Sequence, residues 1–147
     1  MATTFRQDLR AGLVTMMDAF IAANPTLCRR SEPVRPPSIV GDLPIIFVDR
    51  LGETATYDVQ LRRRTASPEI LVVSQMADNG ETVASHDVLV DTLYDHFQSY
   101  THLVSNTSWD RLTVDDEDFS VDADTGTRHF YATRFTFENV LIIEGRI

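Results

Sequence analysis

The sequence predicts a single α+β domain over residues 1–147, in which two principal helices pack on a mostly antiparallel sheet. Three observations predict it. Apolar residues recur at three- and four-residue steps over residues 5–21 and 88–100, the period of a one-sided helix. They alternate over 56–65 and 129–140, the period of a strand. Turn signals at Asp49-Arg50-Leu51-Gly52, Ala66-Ser67-Pro68 and Asp124-Thr125-Gly126 divide the strand-like stretches into a meander and a closing hairpin.

The first helix occupies 1–24. Thr4 can cap it, and Phe5, Leu9, Leu13, Val14, Met16, Met17, Phe20 and Ile21 form one stripe that suits packing onto a sheet. Asn24-Pro25 ends it, because the residue before a proline is pushed out of the helical region. Five of the six prolines fall between Pro25 and Pro44, so 25–44 reads as an extended arm outside the sheet. Arg29, Arg30 and Arg35 on this arm are candidates for a subunit interface, and a plain surface connection is the alternative.

Residues 45–75 read as a β-meander. Ile45 to Val48 is a short apolar strand, Thr56 to Thr65 one alternating strand, and Ile70 to Val73 a third. The triplet Arg62-Arg63-Arg64 closes the middle strand and is a second interface candidate, suited to an acidic patch on an adjoining copy. Ser85 is placed to cap a second helix over 85–100, with Asp87 near its start and Val88, Leu89, Leu93, Phe97 and Tyr100 on one face. Trp109 and Leu112 are anchors for a core or for an interface. The closing hairpin covers 112–143, with Leu141 to Ile143 extending it. Tyr131, Thr133, Phe135 and Phe137 fall on one face of its second strand, and Phe130, Ala132, Arg134 and Thr136 on the other.

The chemistry-bearing signals are sparse. There is no GxGxxG, P-loop, GxSxG or HExxH motif. His86, His96, His102 and His129 show no ligand spacing; on one helix His86 and His96 stand about 80° out of register. Cys28 is the sole cysteine, which excludes an internal disulfide and a cysteine-based zinc cage. Its arginine neighbours would lower its pKa, but no histidine is placed to activate it, and an inert thiol is expected. Asp122-Ala123-Asp124-Thr125-Gly126 has the first alternating carboxylates of a calcium loop. It lacks the rest, with Gly126 at the fifth position and Thr133 at the twelfth. Asp115, Asp116, Glu117, Asp118, Asp122 and Asp124 therefore read as a solvated acidic face in a loop, with no catalytic residue, metal or cofactor implied.

The net charge of −9 argues against a tight nucleic-acid grip, which depends on neutralising phosphates, and suits a surface that lets DNA pass. All 13 basic residues are arginine, and a GC-rich genome gives the same bias as an interface role. No apolar run nears the ~20 residues of a membrane span, and residues 1–23 are amphipathic, so synthesis in a cytoplasm is expected.

The order of these elements is an amphipathic helix, a proline-containing loop, the strand "LPIIFVDRLG", a meander, the helix "DVLVDTLYDHFQSY" and the hairpin "FSVDADTGTRHFYATRFTFENVL". It resembles the tail terminator proteins of long-tailed bacteriophages, including the lambda type, over almost the whole chain. The resemblance implies a mixed sheet with helices packed on it and a homo-hexameric ring in the virion neck. That ring would cap the major tail tube protein, stop tube growth and meet the head-tail stopper, with genomic DNA passing through it unbound. The family has no catalytic residues to carry over, and Glu144 to Ile147 extend beyond its pattern. Asp42, Asp49 and the Asp115–Asp124 acids are then candidates for the lumen or its rim, where they would repel phosphates. Rival readings are another neck or head-completion subunit, a contractile-tail terminator, a small bacterial ligand-binding or hydrolytic domain, and a nucleic-acid-binding module. The hydrolytic reading requires a pocket with converging polar groups.

Overall fold

Helix α1 (Phe5–Ala23) opens the structure, a computed structural model that describes residues 5–37, 43–57, 62–75, 80–100, 109–123 and 126–144. Its stripe does what the spacing dictates: Leu9, Leu13, Met16, Met17 and Phe20 are buried, with Val14 and Ile21 packed partly against them. The helix stops at Asn24, whose backbone amide and side-chain Nδ2 both donate to the Phe20 carbonyl, at 2.9 and 3.1 Å.

Five strands form the main sheet: β1 (Arg30–Glu32), β2 (Ile45–Arg50), β5 (Glu69–Gln75), β6 (Arg111–Ala123) and β7 (Gly126–Glu138). Between them in sequence come β3 (Glu53–Tyr57), β4 (Arg62–Ala66) and helix α2 (Gly80–Gln98), and β8 (Val140–Glu144) follows. The main sheet runs β1-β2-β5-β7-β6, with β1–β2 parallel and every other pair antiparallel. A second sheet runs β3-β4-β8. The fold is thus α+β with a mixed, mostly antiparallel sheet.

Several elements differ from the sequence reading. The proline-rich arm is not outside the sheet throughout, because Arg30, Ser31 and Glu32 pair with Ile45, Ile46 and Phe47. A three-residue Arg-Ser-Glu strand has no hydrophobic period to reveal it; backbone pairing, and Ser31 Oγ donating to Asp18 of α1 at 2.5 Å, hold it. Residues 45–75 are not a simple meander, since β2 pairs with β5 and skips the hairpin between them. Ile45–Val48 and Ile70–Val73 are buried on both faces and need central positions, whereas the polar β3 and β4 sequences can be spared to a smaller sheet. The single strand expected over 56–65 is two antiparallel strands with Tyr57 opposite Arg62; residues 58–61 lie outside the described residues. Their Asp-Val-Gln-Leu sequence carries no glycine, asparagine or proline to announce a reversal.

Helix α2 begins at Gly80, so Ser85 and Asp87 lie inside it and do not cap it. His86, Leu89, Leu93 and Phe97 are buried, and Val88, expected in the core, is 53% exposed. Adjacent helical residues point about 100° apart, so the Leu89-Leu93-Phe97 line turns Val88 outward. The acids Asp115–Asp118 are on β6 and not in a loop, because β7 provides a full ladder opposite them. The hairpin register closes with Ala123 opposite Gly126, as the turn signal implied; Asp124 lies outside the described residues. Leu141–Ile143 do not extend the hairpin. Past Asn139, left-handed (φ 59°) with its Nδ2 donating to Asp110 at 2.9 Å, the chain keeps the direction of β7 but leaves β6 behind, and β8 pairs with β4.

The main sheet buries apolar residues on both faces. Ile46, Val48, Ile70, Val72, Phe135 and Phe137 meet the two helices, with Phe97 edge-on to Phe135 and Phe137 at 5.4 and 5.0 Å. Trp109 packs edge-on to Phe137 at 5.1 Å, which makes it a core anchor. Ile45, Phe47, Leu71, Val73, Phe130 and Ala132 form a second cluster on the opposite face.

Candidate functional site

The two ends of the main sheet carry opposite charge. Strand β6 is the outermost strand at one end, with Asp115, Asp116 and Asp118 exposed. Helix α2 adds exposed Asp87, Asp91 and Asp95, four residues apart and so on one face. Together β6 and α2 hold nine acids and one arginine. At the other end lies β1, flanked by α1 and the start of the arm, with Arg6, Arg10, Arg29 and Arg30 against Asp8, Asp18 and Glu32. There Arg29 is exposed and Arg30 pairs with Glu32 at 3.3 Å. On α1, Arg6 reaches Glu53 at 2.9 Å, and Arg10 donates to the Pro33 carbonyl.

Other candidates serve their own subunit. Arg35 lies over the rings of Phe47 and Phe119, at 5.6 and 5.2 Å, and binds Asp49 at 2.7 Å. Asp49 also accepts from Arg134 Nη1 at 2.7 Å, and its side chain is only 11% exposed, so its charge is offset inside the fold. Burial raises the Asp49 pKa, but hydrogen bonds from Arg134 and Arg35, with their charges, hold it below the ordinary value. Arg134 is the hub: it grips Glu117 with Nε and Nη2, both at 2.7 Å, and Glu69 with Nη1 at 2.6 Å. Four strands (β2, β5, β7 and β6) are joined through this one guanidinium, whose planar fork suits two-oxygen grips. Arg62, Arg63 and Arg64 lie on β4, the central strand of the second sheet, with Arg62 opposite Glu144. Their side chains, those of Asp122 and Asp124, and the whole of Asp42 are outside the described residues.

A polar chain, buried except at Asp116, crosses from β5 through α2 and β7 to β6. Ser74 Oγ lies 2.7 Å from His86 Nδ1, His86 Nε2 lies 2.9 Å from Thr133 Oγ1, and Thr133 Oγ1 donates to Asp116 Oδ1 at 2.8 Å. Because the Thr133 proton goes to Asp116, its oxygen accepts from His86 Nε2–H. That leaves Nδ1 with a lone pair for the Ser74 hydroxyl. Burial lowers the His86 pKa, with the Asp87 and Asp116 charges opposing, so the ring is neutral near pH 7. A cleft of about 600 Å³ reaches Ser74 and His86, walled by Leu27, Leu43, Pro44 and Val88. A second cleft, of about 490 Å³, touches His86 from the β6 side beside Asp87, Asp116 and Asp118.

No family model matches the chain, and no curated protein is detectably similar to it.

The sequence reading did not find the polar chain. Its only trace is two hydroxyl residues at buried strand positions: Ser74 directly after Ile70–Val73, and Thr133 on the same face as Phe135 and Phe137. Cys28 is buried, with its thiol donating to the carbonyls of Arg30 and Pro44 at 3.6 and 3.5 Å. Burial outweighs the opposing backbone hydrogen bonds of Arg30, Arg29 and Ile46 and pushes its pKa up to about 11, opposite to the lowering expected from its arginine neighbours. Among the described residues, no group of three histidine, cysteine or acidic side chains gathers as a metal cage.

Proposed function

We propose that this chain is a ring-forming structural subunit of the phage tail-terminator kind, joined to copies of itself through the two ends of its main sheet. One observation carries the reading: the β6–α2 end is acidic, and four arginines, Arg6, Arg10, Arg29 and Arg30, lie at the β1–α1 end. Ring closure needs two different, complementary surfaces on each subunit, and opposite charges at opposite ends of one sheet meet that need. The acids on β6 also discourage uncontrolled strand pairing at an open edge, leaving docking to side chains. In this reading six copies cap the tail tube protein and stop its growth. The free face of the ring meets the head-tail stopper, and the net charge of −9 lets genomic DNA pass without adhering.

Sedimentation and negative-stain imaging of the purified protein, alone and mixed with tail tubes, test it. Annular particles and tubes blocked from lengthening are expected. Asp115→Arg with Asp118→Arg is expected to disperse the rings, with partial recovery on mixing with an Arg6→Asp, Arg29→Asp partner. A chain that stays monomeric both alone and with tubes refutes the reading.

A further inference from the structure

We infer that Ser74 is a nucleophile, and that the cleft above it accepts a carboxylic ester with a small apolar acyl group. The geometry meets the requirements of nucleophilic catalysis in order: a hydroxyl against a base at 2.7 Å, the base oriented by Thr133 at 2.9 Å, and Thr133 anchored to the Asp116 carboxylate at 2.8 Å. All four side chains sit on different elements, β5, α2, β7 and β6, so tertiary packing holds the constellation. The cleft of about 600 Å³ is of ligand size, and Leu27, Leu43, Pro44 and Val88 give it apolar walls. Gln75 and Ser85 line the same cleft and bring an amide and a hydroxyl donor to it.

In the step, the Ser74 Oγ–carbonyl carbon bond forms as the hydroxyl proton moves to His86 Nδ1. The ester C–O bond then breaks, and the same proton leaves with the alcohol. Water next attacks the acyl-serine, giving its proton to Nδ1. The carboxylic acid departs as that proton returns to Ser74 Oγ. No oxidant or further reactant is needed. Thr133 and Asp116 are positioning residues, since they reach the hydroxyl only through His86. The groups facing His86 are Asp87 on its own helix, Asp116 on β6, and the Tyr131 ring of β7 at 5.9 Å.

The test uses the intact chain and does not depend on ring assembly. A fluorophosphonate probe is expected to label Ser74, on the order of 100-fold faster in the folded protein than in urea. Hydrolysis of p-nitrophenyl acetate is expected to vanish in Ser74→Ala. Thr133→Val is expected to slow labelling, and Thr133→Ser to restore it. The labelling rate should level off at a lower pH than an ordinary imidazole base gives, because burial lowers the His86 pKa. Absence of label on Ser74, equal labelling in urea, or hydrolysis undiminished in Ser74→Ala overturns the inference.

Discussion

Replacing Arg134 with leucine removes the one cation shared by Asp49, Glu69 and Glu117 while keeping an aliphatic stem in place. The Arg134 side chain is 19% exposed, and its partners are 11%, 19% and 30% exposed, so solvent screens this cluster less than a surface pair. Breaking a buried ion pair costs about 3–5 kcal/mol, and the residual exposure places this site near the lower end, at about 3 kcal/mol. For a domain of this size that lowers the melting temperature by roughly 10 °C. The pH dependence is diagnostic. In the wild type the folded Asp49 pKa is depressed, so its stabilisation is complete above the unfolded value near 3.9 and is lost as pH falls through the folded value. In the variant Asp49 keeps only Arg35, and Glu69 and Glu117 lose their grip on Arg134. With one cation fewer beside it the Asp49 pKa rises, so the variant's deficit is greatest near pH 7 and narrows toward about pH 3.5. Urea titrations of both proteins at the two pH values measure it. A deficit under about 1 kcal/mol at pH 7, or one that does not narrow on acidification, would refute the assignment of Arg134 as the hub.

Gly52 holds φ +59°, and a Cβ there would stand 2.6 Å from the Ser67 carbonyl oxygen, a backbone atom with little room to move. Gly52→Ala is expected to cost about 1–2 kcal/mol for the left-handed backbone plus roughly 1–3 kcal/mol for the clash, read by denaturant unfolding. Cys28, buried and with its pKa near 11, is expected to react with a disulfide reagent at pH 8 only as fast as the chain unfolds. Rapid labelling in buffer would contradict its burial.

The one-sided helices and the closing hairpin were legible because their signals are local. The stripe from Leu9 to Phe20 and the alternation from Phe130 to Phe137 each follow from the geometry of a single element. The charge imbalance was legible too, but not its division between two ends of a sheet, because strand order is not written in residue order. Only the tertiary structure decided that β2 skips the β3–β4 hairpin to reach β5, and that the acids of 115–118 form an edge strand. It alone set Ser74, His86, Thr133 and Asp116 in one chain, although up to 59 residues separate Ser74 from its most distant member in sequence. A hydroxyl, an imidazole or a guanidinium has no periodicity of its own. Its role depends on which partners the packing of distant apolar faces brings within hydrogen-bond reach, and that packing is a property of the whole chain.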